Sequence, residues 1–213
     1  MQFSFTLVII IITALVSIGG FNNRKIIDDL IFYGPAVSRQ NQFYRFFTCG
    51  FIHADWSHLI FNMLSLYFLG PYVEQGFEAL FGTMGRWIFV LLYVSALAVS
   101  LLPTYNKHKE NYAYRSLGAS GAVSAVIFAG LMLVPTMELY IFFIPIPIPG
   151  FIFGPLYLLI SAYMDRQGGD NINHSAHIWG ALYGLAFVII GSYAVGYPVV
   201  QNAIEQIGGY FDR

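Results

Sequence analysis

A serine and a histidine each stand at the start of an apolar segment of this sequence. Ser120 lies in a Gly-Ala-Ser-Gly sequence at 118–121, and His177 follows about two helices later in an Ala-His pair at 176–177. A serine hydroxyl needs an adjacent base to become a useful nucleophile, and imidazole is the usual base near neutral pH. Apolar segments of this kind are expected to lie in a lipid bilayer, where polar side chains are costly and indicate a function by default. The pair therefore predicts peptide-bond hydrolysis inside the membrane.

A third, acidic member of the site is not evident in the sequence. Asp165 and Asp170 fall in a polar connection, and Glu74 and Glu78 are expected at or just past the end of an apolar segment. An ionised carboxylate inside the membrane would be costly. We therefore expect a Ser-His dyad. His174 is expected near the bilayer surface with its ring tip in water, without a role.

Two further polar residues, His58 and Asn62, lie four apart in an apolar segment and so share one helix face. Both can donate hydrogen bonds from fixed positions. Together with the backbone N–H of Ser120, they could stabilise the oxyanion that hydrolysis creates. The alternative is that they only hydrogen-bond to neighbouring helices and hold the bundle together.

Small residues surround the serine and line one face of the histidine segment. Gly118 and Gly121 permit close backbone approach next to the serine. Gly180 and Gly184 form a Gly-x-x-x-Gly pair, which lets another helix pack very close. If that neighbour is the serine segment, the histidine can meet the serine. The alternative is a packing patch without chemistry.

The composition indicates the class of protein. Of 213 residues, 57% are hydrophobic and only 10% are charged, whereas a soluble domain usually has about 25% charged residues. We therefore expect an integral membrane protein in contact with the lipid bilayer. The net charge of -1, without a basic patch, argues against a nucleic-acid partner. The single Cys49 excludes an all-cysteine zinc site, and no His-Glu-x-x-His sequence occurs, so neither a metal nor another cofactor is expected.

Six segments approach the roughly 20 apolar residues that a helix needs to cross the hydrocarbon core. Backbone polar groups must be satisfied in lipid, so helices are expected rather than open strands. The sequence predicts an all-α membrane protein with a single domain, residues 1–213. No Lys or Arg precedes the first apolar run, which favours a retained span over a signal peptide. The segments are 3–20, 56–76, 84–103, 118–136, 148–164 and 174–197.

The connections differ in character. Residues 21–55 are rich in aromatic and cationic side chains, which is typical of the membrane interface and predicts short helices lying half in the membrane. Pro145 and Pro147 end any helix between the fourth and fifth segments. Residues 165–173 are polar, with a glycine pair that allows motion. The chain after Tyr197 is expected to be a short polar end.

Together these motifs resemble those of the rhomboid family of intramembrane serine proteases, over residues 43–185. The Tyr-Arg-Phe-Phe sequence at 44–47 and the stretch 53–62 resemble the family's Trp-Arg element and its His-and-Asn segment. The Gly-Ala-Ser-Gly sequence resembles its Gly-x-Ser-Gly nucleophile motif. The Ala-His-Ile-Trp-Gly sequence at 176–180 is similar to its Ala-His-x-x-Gly motif. Each motif is modest alone, but their order and their placement in the expected spans are specific.

The resemblance implies a serine endopeptidase that cuts single-pass membrane proteins in or near their transmembrane segments. It implies that Ser120 is the nucleophile and His177 the general base. It also implies that His58 and Asn62, with the Ser120 N–H, form the oxyanion site.

The resemblance further implies a six-transmembrane-helix bundle with an interfacial loop between helices one and two and a water-filled cavity. Arg45 and His53 would be structural residues of that loop. The fifth segment would be the flank where a substrate helix enters, and residues 165–173 the cap. A bacterial cell (inner) membrane is the expected location.

Two residues depart from the family pattern. Tyr44 stands where the family often has Trp. Ser124 stands where some members have an aromatic residue that stacks on the base. In this sequence another aromatic residue, such as Trp179 or Tyr183, could hold His177.

Two arguments disagree on membrane orientation. The family topology places both ends in the cytoplasm, whereas the positive-inside rule favours the reverse. We adopt the family orientation, because four of the cationic residues that it places outside lie in the predicted interfacial loop. The family orientation puts Arg86 and Arg213 on the cytoplasmic side. It puts the other cationic residues on the outer side, namely Arg24, Lys25, Arg39, Arg45, Lys107, Lys109, Arg115 and Arg166.

Two other functions compete with proteolysis. A non-catalytic rhomboid-like protein would bind membrane clients without cleaving them, and the presence of both Ser120 and His177 argues against it. A small transporter would show internal repeats or paired broken helices, and the sequence has neither.

Overall fold

The computed structural model describes residues 4–140 and 146–212, and this part of the chain is mostly helical. Pro145 and Arg213, which enter two of the expectations above, lie outside the described residues. Two short strands, β1 (Glu138–Tyr140) and β2 (Pro147–Pro149), form an antiparallel pair. The helices are α1 (Phe5–Asn22), α2 (Arg24–Leu30), α3 (Gly34–Gln40), α4 (Arg45–Thr48), α5 (Trp56–Phe81), α6 (Gly85–Val99), α7 (Leu102–His108), α8 (Ser120–Leu133), α9 (Gly150–Gln167), α10 (His174–Ala194) and α11 (Val199–Phe211), with 3-10 turns at Cys49–Phe51 and Gly82–Met84.

Each of the six apolar segments overlaps one of the longer helices, namely α1, α5, α6, α8, α9 and α10. Three stretches of the described chain combine the length and hydropathy needed to cross a membrane: Phe5–Asn22, Trp56–His108 and His174–Ala194. The second is 53 residues long, because α5, α6 and α7 follow one another with short interruptions. Helix α8 is apolar but only 14 residues long. The count of six spans therefore stays a prediction.

Helix α8 lies at the centre of the described bundle. Most of its residues are buried, and it contacts α5, α6, α9 and α10. A helix that is covered on all sides must be apolar all round, and its small residues let the neighbouring helices approach closely. The main apolar cluster joins α8 to α5, α6 and α10 through side chains that include Leu66, Phe77, Phe89, Val126 and Val188.

A very close helix contact joins α10 to α8. A Cβ atom on Gly180 would overlap the carbonyl oxygen of Gly121, and one on Gly184 would overlap that of Ala125. Backbone atoms cannot rotate aside as a side chain can, so this separation requires glycine at both positions of α10. The Gly-x-x-x-Gly face is thus covered by α8 of the same chain, as expected if a histidine of α10 is to meet a serine of α8.

A buried carboxylate joins α5 to the start of α1. Glu74 is 5% exposed. It accepts hydrogen bonds from the N–H groups of Phe5 and Thr6 and from the hydroxyls of Ser4 and Thr6, at 2.9–3.3 Å. The first turn of a helix has no intrahelical acceptor for its N–H groups and favours a negative charge. Glu74 therefore caps α1 and fixes the position of α1 along the axis of α5.

Residues 21–55 form a series of short helices, as predicted, and α2, α3 and α4 lie in this stretch. Arg45 is buried and donates to the carbonyls of Asp28 and Ile31 at 3.0 and 2.7 Å and to the side-chain oxygen of Gln42 at 2.6 Å. The guanidinium connects the end of α2 to the start of α4, which is the geometry that a structural role for Arg45 requires. The placement of this series in the membrane interface remains a prediction.

Two expectations about element ends are wrong. Helix α5 runs through Glu74 and Glu78, so neither residue lies at or past its end. The chain after Tyr197 is not merely a short polar end, because it forms the amphipathic helix α11, which buries Val199 and Ala203. Its apolar residues recur at helical spacing, so the signal was present in the sequence.

Replacing Gly184 by alanine should push α10 away from α8, because the new methyl group overlaps a backbone carbonyl. We expect the free energy of unfolding to fall by about 1–3 kcal/mol, the usual cost of overpacking. Gly208→Ala on α11 is the control, because a Cβ there meets nothing within 4 Å. Unfolding in mixed micelles, followed by circular dichroism, measures both variants. Equal stability of the two would contradict the close contact.

Glu74→Gln should loosen the start of α1. A single amide oxygen replaces two carboxylate oxygens, and the amide nitrogen faces donors, so buried N–H groups lose their acceptor at a cost of about 1–3 kcal/mol. Glu205→Gln, on the exposed side of α11, is the matched control. Hydrogen exchange of the first turn of α1 reports the change locally. Wild-type protection there in Glu74→Gln would show that the carboxylate is not needed.

Candidate active site

Ser120 is the first residue of α8, and the chain reaches it through a conformation that favours glycine. Gly118 has a φ of 113°, and a Cβ atom there would lie 2.5 Å from Cε1 of His58. The N–H of Gly118 donates to the carbonyl of Cys49 at 2.9 Å. Because Ser120 begins the helix, the N–H groups of the first turn lack intrahelical acceptors and lie at the positive end of the helix dipole.

His53 connects three parts of the site. Its Nδ1 hydrogen-bonds to Oγ of Ser17 on α1 at 2.9 Å, and its Nε2 accepts the N–H of Ala119 at 3.4 Å. Burial lowers the pKa of His53 to about 3, so the imidazole is neutral at physiological pH and can accept this bond. The ring also meets that of His58 edge to face, with centroids 4.8 Å apart. His53 thereby holds the residue that precedes Ser120, in keeping with the predicted structural role.

His177 lies in the first turn of α10, directly beside the start of α8. The side chain of Asn173 caps this helix by accepting the N–H of Ala176 at 3.0 Å. The glycine contact between the two helices leaves Nε2 of His177 at 2.7 Å from Oγ of Ser120. Both side chains are half-buried. The structure thus brings the predicted nucleophile and base within hydrogen-bond distance, so that the hydroxyl can donate to an unprotonated Nε2.

His58 and Asn62 line the same cavity as Ser120 and His177, a space of about 810 Å³. The Nδ2 of Asn62 donates to the carbonyl of His58 at 2.8 Å. This bond uses one amide hydrogen and fixes the amide plane, so the second hydrogen is held in a defined direction. The four residues that the sequence singled out for chemistry therefore surround one cavity.

The aromatic neighbour of His177 comes from α9. The ring of Tyr157 lies nearly parallel to the imidazole, with centroids 6.5 Å apart and planes 26° apart. Its hydroxyl is 2.8 Å from Oγ of Ser124 on α8. The neighbour is thus another aromatic residue, as expected, but neither of the two named as examples: Trp179 is 48% exposed, and the Tyr183 hydroxyl donates to a serine of α6 at 2.7 Å.

His174 is buried, so the expectation of a ring tip in water is wrong. Its Nε2 is 2.9 Å from Oδ2 of Asp170, and this hydrogen bond lowers the pKa of the Asp170 carboxyl. The His174 ring meets that of His177 edge to face, with centroids 5.6 Å apart. The connection between α9 and α10 therefore folds back toward the base, and its Asp170 both borders the cavity and hydrogen-bonds to His174.

The described part of the chain does not favour metal-dependent or cysteine-dependent catalysis. Within residues 4–140 and 146–212, no group of three or more His, Cys, Asp or Glu side chains is placed to hold a metal ion. Cys49 is buried, and burial raises the pKa of its thiol to about 12, so it is not a thiolate at physiological pH.

The known proteins and the domain model that this chain resembles all carry the same family name. The model of the Rhomboid domain matches residues 40–194. "RHOMBOID-like protein 12, mitochondrial" of Arabidopsis thaliana is 30% identical over 63% of this chain and 42% of its own length. "Rhomboid-like protein 11, chloroplastic" of the same plant is 31% identical over 68% of this chain and 51% of its length.

"Presenilin-associated rhomboid-like protein, mitochondrial" of Rattus norvegicus is 31% identical over 66% of this chain and 36% of its own length. The chain thus spans about half or less of the length of these relatives. The domain model, by contrast, covers well over half of the chain, including Ser120 and His177. Together with the membrane-length helices, this match shows that the chain is an integral membrane protein of the rhomboid family.

Proposed function

We propose that the protein is an intramembrane serine endopeptidase that uses Ser120 and His177 as a catalytic dyad. The observation that carries this proposal is the 2.7 Å distance from Oγ of Ser120 to Nε2 of His177 inside a cavity of the helical bundle. A nucleophile within hydrogen-bond reach of a base is the signature of covalent catalysis by serine. The names of these three relatives describe them as rhomboid-like and state no activity.

In the proposed reaction, Nε2 of His177 takes the proton of the Ser120 hydroxyl while Oγ attacks the carbonyl carbon of the scissile bond. The tetrahedral intermediate then collapses, and the imidazolium gives its proton to the leaving amine nitrogen. An ester on Ser120 remains. His177 next removes a proton from a water molecule, which attacks the ester, releases the carboxylate product and restores the hydroxyl.

The negative oxygen of the tetrahedral intermediate needs donors that are already in place. The first N–H groups of α8 have no intrahelical acceptor, Ser120 and Gly121 line the cavity, and the helix dipole favours a negative charge there. The second amide hydrogen of Asn62 and the ring of His58 border the same cavity. We assign these groups to the oxyanion site.

The substrate class follows from the surroundings of the dyad. The cavity opens within an apolar bundle, and the outer face of α9 exposes Leu159, Ile160 and Tyr163. A single-pass transmembrane protein has the matching apolar surface, and it presents a cleavable bond where its helix unwinds. We assign such proteins as substrates, with α9 as the flank along which they enter and the connection after α9 as the cap.

The proposal includes the membrane arrangement expected from the sequence. Six spans would be α1, α5, α6, α8, α9 and α10, with the lipid bilayer as the surrounding partner and no nucleic acid involved. The expected location is a bacterial cell (inner) membrane. Mitochondrial and chloroplastic relatives make an organelle membrane the competing location, and fractionation of the native cells decides between them.

The central test compares wild type with Ser120→Ala and His177→Ala on a fluorogenic single-pass reporter in proteoliposomes. We expect each substitution to reduce kcat by at least about 10³-fold, since nucleophile and base act as a unit. Ser65→Ala is the control, because the Ser65 hydroxyl donates only within α5 at 2.8 Å. Cleavage by Ser120→Ala would show that Ser120 is not the nucleophile. A silent wild type that still binds reporters would favour the non-catalytic alternative.

Asn62→Ala should lower kcat by about 10²–10³-fold with little change in KM, because an oxyanion donor acts mainly in the transition state. Asn22→Ala is a closely matched control. The Asn22 amide also donates to the carbonyl four residues earlier, at 2.9 Å, but it lies at the end of α1. Steady-state kinetics on the same reporter measure both. A loss confined to KM, or an equal loss in both variants, would remove Asn62 from the oxyanion site.

A further inference from the structure

Ser124 and Tyr157 form a polar contact between α8 and α9 one turn below the dyad. Ser124 is 2% exposed, and its Oγ lies 2.8 Å from the Tyr157 hydroxyl. A buried helix serine commonly bonds back to its own helix, whereas this hydroxyl reaches across to a neighbour. The bond satisfies two buried hydroxyls at once, and leaving either one unpaired would be costly.

The Tyr157 ring is held in a fixed orientation by several aromatic partners. Its centroid is 5.5 Å from that of Phe128 on α8 and 5.8 Å from that of Phe153 on α9. On the remaining side it faces the imidazole of His177 in an offset parallel arrangement. Centroid distances of this size fall within the range of attractive aromatic pairs.

Helix α9 has a packed side and an exposed side. It packs against α10 and, less extensively, α8. Its opposite side exposes Ile152, Leu159 and Tyr163. Pro155 lies within the helix, two residues before Tyr157, and removes one intrahelical hydrogen bond there. The orientation of Tyr157 therefore depends on where α9 sits relative to α8.

We propose that Tyr157 is a positioning residue for His177 and that the Ser124–Tyr157 hydrogen bond links the orientation of this base to the position of α9. This inference rests on the proposed function. A ring with one hydrogen bond at Nε2 can still turn about its side-chain torsions, and a parallel neighbour restricts that rotation. Movement of α9 away from α8 breaks the hydroxyl bond, withdraws the Tyr157 ring and releases the imidazole. The serine at 124 leaves room for an aromatic side chain supplied by another helix.

The test uses Tyr157→Leu, Tyr157→Phe, Ser124→Ala and the double variant Ser124→Ala/Tyr157→Phe, with kcat and KM measured on the single-pass reporter. Tyr157→Leu should reduce kcat about ten-fold, the upper end of an aromatic contact's effect, with KM within about two-fold. Tyr157→Phe keeps the ring, so its kcat should be about three-fold higher than that of Tyr157→Leu. Ser124→Ala, Tyr157→Phe and the double variant should each show the same loss of about three-fold, since they remove one hydrogen bond.

Tyr72→Leu on α5 is the control, because Tyr72 is 63% exposed and lies outside both the cavity lining and α9. Unchanged kcat in Tyr157→Leu would overturn the proposal. So would a change in KM alone, which would place Tyr157 against the substrate, or an equal loss in Tyr72→Leu, which would indicate a nonspecific effect of removing a tyrosine ring. These results presuppose an active wild type, so a failure of the proposed function is recognised separately by a wild type that does not cleave.

Discussion

The backbone contact between α8 and α10 is the constraint on which the site depends. Carbonyl groups of α8 occupy the space that side chains would take at Gly180 and Gly184. At that separation the first turns of both helices meet, and the hydroxyl of Ser120 reaches Nε2 of His177. Lipid is as apolar as the side chains, so close van der Waals packing has to supply the attraction that the hydrophobic effect supplies in water.

Buried polar groups fix the remaining helices around this pair. Glu74 caps α1 from α5, His53 joins α1 to the turn before α8, and Arg45 joins the short helices between them. Each group bonds to backbone atoms at an element's end, where donors or acceptors would otherwise be unsatisfied. Such bonds are directional, so they set the height and rotation of a helix, which apolar packing alone leaves loosely defined. The cavity beside the dyad is framed by the elements that these bonds hold.

The features that could be predicted from the sequence are those that a local residue pattern determines. Polar residues in apolar segments and the glycine spacing of the sixth segment indicated Ser120, His177 and their contact, because these signals lie within single helices. Tyr157 was missed, since its approach to His177 depends on how α9 packs against two other helices. The burial of His174 was missed because it depends on the connection after α9 folding back. The apolar residues of α11 recur at helical spacing, so this helix could have been predicted from the sequence but was not.

The most direct test of the central claim is to map the site of covalent reaction with a fluorophosphonate, which phosphonylates only an activated serine. Purified protein in detergent would be treated with the probe, digested and analysed by mass spectrometry. The dyad predicts a single adduct on Ser120 in wild type and none in a folded His177→Ala variant. An unmodified Ser120 in folded wild type, or equal modification of Ser120 in His177→Ala, would contradict the account.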